Sequence, residues 1–319
     1  MVALAVAGSL AVHATPARAQ AAFPSKPIKL VVPYPAGGVV DQVARLVTEH
    51  MSRTLGQPIV VENKPGASAN IGTDQVLRAP ADGYTFLMGS PYLATNPHLM
   101  KSTKWKTADF VGVGLVGAPP NVFVAANNVP AKTMKEFVAY VKARPGQLNV
   151  TNPGVGTSNH MGQELFFSTT GLEMQNVMYK GQPAMMPDVA SGQVSFSLMT
   201  MALAAPHLKE GRFKALAISA PKRAPDLPDV PTIAEAGFPD AMFLPWYGMV
   251  AAAATPAPIV KTLSDAFMKA IGDPGVVAGL EKIGTQLTPA PGSEFTELLK
   301  REAVRWEKII KERGIKPVG

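Results

Sequence analysis

The segment IKLVVPYPAGGVVDQVARLV, residues 28–47, passes from a strand pattern through a glycine loop into a helix pattern. Apolar residues follow the i, i+3, i+4, i+7 spacing of a helix at Val40, Val43, Ala44, Val47 and Met51. Gly56 and Pro58 end this pattern. A glycine loop that leads into a helix lets free backbone N–H groups come close to a ligand. The segment therefore predicts an anion-binding site at the start of the helix.

A second copy of this layout occurs about 120 residues later, in LNVTNPGVGTSNHMGQELFF, residues 148–167. It again leads from a strand through Gly154 and Gly156 into a helix, and Thr157 and Ser158 add hydroxyl groups at the helix start. Two matched units predict two similar α/β domains that face each other across a cleft and hold an oxyanion there. The alternative is that the glycines only make tight turns and that Ser158 only caps its helix.

Short β-branched runs alternate with helix patterns along the chain, which predicts an α/β fold with parallel strands. The predicted strands span residues 28–34, 59–63, 85–89, 121–126, 148–152, 174–179, 194–200, 214–220 and 246–252. The last helix has an apolar stripe from Phe295 to Ile310, and Ser293 is predicted to cap it.

Composition indicates a soluble globular protein of two domains. The chain has 319 residues, of which 47% are hydrophobic and 17% charged, so it is long enough to bury sizeable cores. It contains no cysteine, which excludes disulfides and thiolate chemistry. The formal charge is +7, but no known nucleic-acid-binding module is present. We therefore expect a solvated basic surface and no nucleic-acid partner.

The N-terminal segment, residues 1–22, is predicted to be an export signal that is cleaved after Ala19. An apolar run from Val2 to Val12 precedes the small-residue triplet Ala17-Arg18-Ala19. A basic n-region is missing, so either translation starts upstream or the segment is a buried N-terminal part of the fold. No later stretch reaches about 18 uninterrupted apolar residues. We expect a periplasmic protein.

The sequence gives little support for catalysis or for a nucleotide. Neither glycine loop is followed by the lysine of a P-loop. GVGLVG at residues 112–117 matches G-x-G-x-x-G, but Pro119 and Pro120 follow where that fingerprint requires a helix. No G-x-S-x-G or H-E-x-x-H motif occurs, and the five histidines lack metal-ligand spacing. We therefore expect no metal or cofactor, and we interpret Asp41 and Asp188 as structural.

Longer motifs occur in order from Phe23 to the C-terminal helix. Residues 23–90 read FPSKPIKLVVPYPAGGVVDQVARLVTEHMSRTLGQPIVVENKPGASANIGTDQVLRAPADGYTFLMGS. PGVGTSNHMGQELF, YKGQPAMMPDVASGQVSFSL, LAISAPKRAPDLPDVPTIAEAGF and PWYGMVAAAATPAPIV follow. Together they resemble the substrate-binding proteins of tripartite tricarboxylate transporters, the TctC or Bug family. The resemblance implies a monomeric periplasmic receptor with a two-lobe, type II-like periplasmic binding protein fold. Such a receptor closes on a small-molecule carboxylate and delivers it to membrane transporter subunits without catalysis.

The resemblance also implies where the lobes and the site lie. One Rossmann-like domain comprises residues 23–122 and 245–319, and the other comprises residues 123–244, with crossover strands joining them. The implied ligand-binding residues are Tyr34, Ala36, Gly37, Gly38, Val39, Val40, Asp41, Ser90, Tyr92, Gly156, Thr157, Ser158, His160, Tyr179, Lys180 and Gly181.

One departure from the family pattern concerns Val39 and Val40, where small or hydroxylated residues are frequent. Valine removes the side-chain donors and leaves the backbone amides as the main contact. This change favours an acid with an apolar or aromatic body, such as a dicarboxylate or an aromatic carboxylate, over citrate. Two alternatives remain open: a carboxylate-sensing component of an extracytoplasmic signalling system, and an enzyme built on the same scaffold.

Overall fold

A computed structural model describes residues 23–318, and the predicted export signal lies outside this range. The strands are β1 (Ile28–Val32), β2 (Ile59–Asn63), β3 (Thr85–Gly89), β4 (Phe110–Ala118), β5 (Asn121–Ala125), β6 (Asn149–Asn152), β7 (Gln175–Met178), β8 (Phe196–Thr200), β9 (Lys214–Ser219), β10 (Tyr247–Ala252) and β11 (Gln286–Pro291). The helices are α1 (Val39–Leu55), α2 (Asn70–Arg78), α3 (Tyr92–Leu99), α4 (Met134–Lys142), α5 (Ser158–Thr170), α6 (Met186–Ser191), α7 (Met201–Lys209), α8 (Ala257–Ile271), α9 (Pro274–Lys282) and α10 (Gly292–Glu312).

The strands form two sheets, and each sheet is the centre of one lobe. The first lobe has six strands in the order β11-β4-β10-β3-β1-β2, and the second has five in the order β7-β6-β8-β5-β9. β1 is parallel to β2 and β3, and β6 is parallel to β7 and β8. β10 and β5 are the first strands after the two points where the chain crosses between the sheets, and both run antiparallel to their neighbours. The first crossing is at residues 119–120 and the second lies between β9 and β10. The α/β fold class is confirmed.

Helices cover both faces of the first sheet, and the alternation of β1 explains this arrangement. Ile28, Leu30 and Val32 pack into a cluster with α1 and α8. Val31 points to the opposite face, where α2, α3 and α10 contribute to a second cluster. Because successive side chains of a strand point to opposite faces, a strand that is apolar throughout needs cover on both.

Most predicted strands occur within two residues of their expected bounds, but two strands were missed. β1 ends at Val32 rather than at residue 34 because Pro33 has no N–H group for the ladder. β4 contains the GVGLVG motif, so this motif lies inside a strand and not in a loop before a helix. β11, at the edge of its sheet, was also missed.

The first predicted helix is confirmed, but the cap of the last helix is wrong. α1 ends where Gly56 adopts a left-handed conformation, as its sequence indicates. α10 begins one residue before Ser293, and no side chain caps it. The N–H group of Gly292 instead donates to the Ser264 hydroxyl at 3.0 Å, which fixes the helix start without Ser293. Within residues 23–318, no helix has the length and apolar character required to cross a membrane.

Candidate ligand-binding site

A cavity of about 230 Å³ lies between the two lobes. Its lining residues from the first lobe and the segment entering β10 are Tyr34, Val40, Ser90, Pro91, Tyr92, Pro245 and Tyr247. Its lining residues from the second lobe are Gly156, Thr157, Ser158 and Asn159. The structure therefore brings the two predicted glycine-loop units to one cavity from opposite sides.

Three helices begin at this cavity: α1 and α3 from the first lobe and α5 from the second. The first N–H groups of a helix have no partner inside the helix, and its dipole places partial positive charge there. Among the described residues, the backbone amides of Val39, Val40 and Asp41 have no acceptor, and neither do those of Ser158 and Asn159. Two opposed sets of donors are thus free to bind an anion.

The first glycine loop is held in place by Asp41, which is buried. Gly37 has a φ of 80° and donates its N–H group to Asp41 Oδ2 at 2.9 Å. Arg45 Nε and Asn63 Nδ2 donate to the same carboxylate at 3.0 and 2.9 Å. Burial acts to raise the pKa of Asp41, but the hydrogen bonds from Arg45, Gly37 and Asn63 outweigh it and hold the pKa below its ordinary 3.8. Asp41 is therefore an ionised support for the loop.

The second glycine loop is closed by its own helix. Gly156 has a φ of 80° and donates its N–H group to His160 Nδ1 at 3.3 Å. The Thr157 hydroxyl donates to the Gly154 carbonyl at 2.8 Å and accepts from the His160 N–H group at 3.3 Å. Thr157 is thus the N-cap of α5, whereas Ser158 is the first helical residue. This arrangement leaves the Ser158 hydroxyl available at the cavity.

Three tyrosines line the side of the cavity that belongs to the first lobe. The Tyr34 and Ser90 hydroxyls are 2.7 Å apart, and the Tyr92 hydroxyl lies 2.9 Å from Thr73 Oγ1. The rings of Tyr34 and Tyr92 meet edge to face with centroids 6.3 Å apart. Burial raises the pKa of Tyr34 to about 12 despite its bond to Ser90, and burial also raises the pKa values of Tyr92 and Tyr247. All three are neutral at pH 7 and repel no anion.

A buried amide network lies behind the second-lobe wall. Asn159 Nδ2 donates to the Leu198 carbonyl at 3.0 Å, and Asn159 Oδ1 accepts from Gln182 Nε2 at 3.0 Å. Gln182 also accepts from the Thr200 N–H group at 2.8 Å. Asn121 is only 1% exposed, and its Nδ2 has no acceptor among the described residues. The network fixes Asn159, whose backbone amide is one of the free donors.

Not every residue that was predicted to bind ligand lines the cavity. Ala36, Gly37, Gly38, Val39 and Asp41 form the loop and helix start beside Val40, and His160 lies behind its own loop. The lining also does not include three further predicted residues: Tyr179, Lys180 and Gly181. Tyr179 donates to Asp188 Oδ2 at 2.5 Å, and Gly181 donates to the Pro153 carbonyl at 3.2 Å. These bonds give both residues structural roles in the second lobe.

Four further residues line the cavity, and none of them was predicted from the sequence: Pro91, Asn159, Pro245 and Tyr247. Pro245 and Tyr247 belong to the motif PWYG, and the available signal was a tyrosine at the start of a predicted strand. Asn159 stands between two selected residues, Ser158 and His160. Its role depends on contacts with Leu198 and Gln182, which no local pattern reveals.

The lining side chains carry no formal charge. They include hydroxyl and amide groups but no carboxylate, imidazole, amine or guanidinium. An anion in this cavity would be held by helix starts and neutral donors, a set of groups that binds without supplying a general base. Two α/β lobes that enclose such a cavity define a two-lobe solute-binding protein.

The protein belongs to the tripartite tricarboxylate transporter receptor family, TctC, whose family model matches residues 43–315. Members of this family are periplasmic solute-binding receptors and not enzymes. The resemblance inferred from the sequence is confirmed.

Relatives that match over most of the chain support this assignment. Protein BugT of Bordetella pertussis is 33% identical over 297 residues, which cover 92% of this chain and 91% of BugT. The structure of R. palustris Rpa4515 with adipate matches with a TM-score of 0.74 and 32% identity, covering 93% of this chain and 100% of that chain. MatC from Rhodopseudomonas palustris with bound malate matches with a TM-score of 0.71 and 31% identity, covering 90% and 100%.

Proposed function

We propose that this protein is an extracytoplasmic receptor that captures a small organic carboxylate for a tripartite tricarboxylate-type transporter. The observation that carries the proposal is the pair of helix starts, α1 and α5, that face one uncharged cavity from opposite lobes. A carboxylate that bridges the two sets of free amides would draw the lobes together. The predicted lobe ranges, 23–122 with 245–319 and 123–244, are part of this proposal, with the first boundary moved to residues 119–120, because β5 begins at Asn121 in the second sheet.

The chemistry of the cavity favours a carboxylate over other ligands. A hydrogen bond to a charged group contributes about 1.5–3 kcal/mol, and a helix dipole adds about 0.3–1 kcal/mol. The five free amides at the two helix starts can therefore supply micromolar affinity, which corresponds to about 8 kcal/mol. At about 230 Å³ the cavity is smaller than a pocket for a drug-sized ligand, and it suits a small acid. The relatives whose structures hold adipate and malate fit this ligand class.

The walls favour an acid with an apolar or aromatic body. Val40, Pro91 and Pro245 present apolar surface, and the tyrosine rings present aromatic surface. The Val40 side chain has no hydrogen-bond donor, so only the backbone amides at the start of α1 would bind one carboxylate group there. A dicarboxylate would place its second group at the α5 start, and an aromatic acid would place its ring among the tyrosines.

The proposed location and partners follow from the family. An exported receptor would lose residues 1–19 and work in the periplasm as a monomer. It would then present the loaded, closed form to the membrane subunits of its transporter. The free energy of ligand binding would favour the closed arrangement of the lobes, and the ligand itself would undergo no chemical change.

Melting curves with matched ligands would test the proposal. The protein is unfolded and refolded to remove bound ligand and then heated with succinate, malate, adipate, citrate, benzoate or terephthalate. Adipamide serves as the control because it keeps the shape of adipate without its charge. A ligand at about 100 times its dissociation constant adds roughly 2.7 kcal/mol of stability.

We expect at least one dicarboxylate or aromatic carboxylate to raise the melting temperature and adipamide to leave it unchanged. Stabilisation by citrate alone would contradict the proposed apolar body. Stabilisation by none of the acids, or by adipamide as strongly as by adipate, would refute carboxylate capture.

A further inference from the structure

His160 makes a contact that links the second glycine loop to the rest of α5. It is the third residue of α5 and is only 3% exposed. Its Nδ1 accepts the N–H group of Gly156, one of the residues that line the cavity. Because an acceptor nitrogen cannot carry the proton, the neutral ring that makes this bond has its proton on Nε2.

Glu164 lies one helical turn further along and faces the other side of the same ring. Its Oε1 is 3.7 Å from His160 Nε2, and Glu164 is only 4% exposed. A carboxylate beside Nε2 favours the tautomer with its proton on that nitrogen. Glu164 thus supports the form of His160 that can accept from Gly156.

Arg313 connects this pair to the other lobe. Arg313 follows the last residue of α10, a helix that packs on β4 and α3 of the first lobe. Its Nε donates to Glu164 Oε2 at 3.1 Å. The ion pair lies next to an apolar cluster shared by both lobes, in which Leu165 of α5 packs with Ile309 of α10. A continuous series of contacts therefore runs from the cavity wall to the first lobe.

We propose that His160 is a positioning residue of the carboxylate site, and that Glu164 and Arg313 hold it so that loop geometry depends on contact between the lobes. This inference rests on the proposed function, because it concerns the same site. By fixing Gly156, His160 orients the turn that presents the amides of Ser158 and Asn159. Separation of the lobes would remove Arg313 from Glu164 and loosen this support.

Electrostatics at the ring agree with this role. Burial lowers the pKa of His160 below 6.5, although the neighbouring Glu164 acts to raise it. Among the described residues, no other carboxylate lies within 4.0 Å of the ring nitrogens, and Arg313 is the cation that faces Glu164 from α10. At pH 7 the ring is neutral and Nδ1 accepts. Protonation would turn Nδ1 into a donor that faces the Gly156 N–H group, so the bond would be lost.

The tautomer of His160 can be measured without any ligand. The ligand-free protein is labelled with ¹⁵N-histidine, and the His160 signals are assigned by comparison with the His160→Asn variant. We expect a neutral ring with its proton on Nε2 at pH 7.5. A ring protonated on Nδ1 at this pH would overturn the proposal whether or not the protein binds a carboxylate.

Matched variants then test the effect on binding, with adipate as the probe in calorimetric titrations. In His160→Asn the amide oxygen can take the place of Nδ1, whereas in His160→Gln the amide group reaches the position of Nε2. We expect adipate to bind His160→Asn within about threefold of the wild-type affinity and His160→Gln at least tenfold more weakly. Arg313→Gln is expected to bind at least threefold more weakly, and Arg301→Gln, at an exposed position of α10, serves as its control.

The outcomes separate this proposal from the proposed function. If wild-type protein binds none of the acids, the proposed function fails. If wild-type protein binds adipate and His160→Gln binds it equally well, only the role of His160 fails. Binding by wild-type protein is also expected to weaken as the pH falls through the lowered pKa of His160, and to do so less in His160→Asn. An equal pH dependence in both proteins would overturn the proposal.

Discussion

Replacing Gly156 by alanine is expected to weaken ligand binding, whereas the same replacement at Gly171 is not. Both glycines flank α5, and their φ angles are 80° and 69°. This left-handed region costs a residue with a Cβ atom about 1–2 kcal/mol. A methyl group on Gly171 would meet nothing within 4 Å, and one on Gly156 would make ordinary contact with Leu99 at 3.4 Å. The two variants should therefore lose similar amounts of folding free energy.

The effect on ligand binding differs because the backbone strain of the alanine is relieved beside the cavity in Gly156→Ala and at the far end of α5 in Gly171→Ala. At Gly156 the chain relaxes by turning the loop, which moves the free amides of Ser158 and Asn159. The loss of one hydrogen bond to a carboxylate costs about 1.5–3 kcal/mol, so the affinity should fall roughly 10- to 150-fold. Gly171 lies at the other end of a 13-residue helix, about 20 Å away, so relaxation there leaves the site unchanged.

Calorimetric titration and urea unfolding of both variants would measure the two effects separately. The ligand is the acid that stabilises the wild-type protein most. We expect the same loss of unfolding free energy in both variants but weaker binding only in Gly156→Ala. Equal affinities in the two variants would show that the second glycine loop is a turn and not part of a binding site.

Three further predictions concern the loops and the lobes. Gly37→Ala should weaken ligand binding, whereas Gly56→Ala, at the other end of α1, should not. The two variants are matched because both glycines have a positive φ and a Cβ atom at either would meet no atom within 4 Å. Equal ligand affinities in the two variants would contradict a role of the first glycine loop in binding. Asp41→Asn should lower the free energy of unfolding by about 1–3 kcal/mol at pH 7, since the carboxylate accepts three groups. Because the pKa of Asp41 is lowered in the folded state, its contribution to the free energy of unfolding is complete above pH 3.8 and is lost as the pH falls through the folded-state pKa. The difference in unfolding free energy between wild type and Asp41→Asn should therefore narrow below pH 3.8. A difference that stays constant with pH would contradict an ionised Asp41 that stabilises the fold. Trp306→Ala should cost about 3–5 kcal/mol in urea unfolding because this fully buried ring fills the cluster between the lobes, and a loss below about 1 kcal/mol would show that the cluster adds little.

The sequence predicted the strands that have strong β-branched patterns, but it did not predict β4. This strand is rich in glycine, which has a low strand propensity. The reason for the glycines is tertiary: a Cβ atom on Gly114 would collide with the ring of Phe267, and one on Gly112 would collide with the Gly292 carbonyl. Such close approach between distant segments leaves no local signal in the sequence.

β11 escaped prediction for a related reason. It contains Pro289 and Pro291, which usually exclude a strand. Its position at the edge of the sheet makes these residues tolerable because one side of an edge strand needs no partner. The position of a strand within a sheet depends on the whole fold, so the local pattern of this segment does not predict a strand.

The sequence located the two glycine loops beside the cavity better than it located the rest of the cavity wall. The loops repeat one local layout, and the structure places Val40 and Gly156 together at the cavity. Tyr179 illustrates the opposite case: it follows a strand and carries a hydroxyl, but that hydroxyl bonds Asp188 within its own lobe. Tyr247 reaches the cavity because β10 returns to the first sheet between β3 and β4, which only the topology reveals.

A crystal structure with the most stabilising carboxylate would test carboxylate capture between the lobes most directly. We predict carboxylate oxygens within about 3.2 Å of amide nitrogens at both helix starts, among Val39 to Asp41 in α1 and at Ser158 or Asn159 in α5. The ligand body should lie against Tyr34 and the neighbouring tyrosines. A carboxylate held by a lysine or arginine side chain, or one bound outside the cavity between the lobes, would contradict the account.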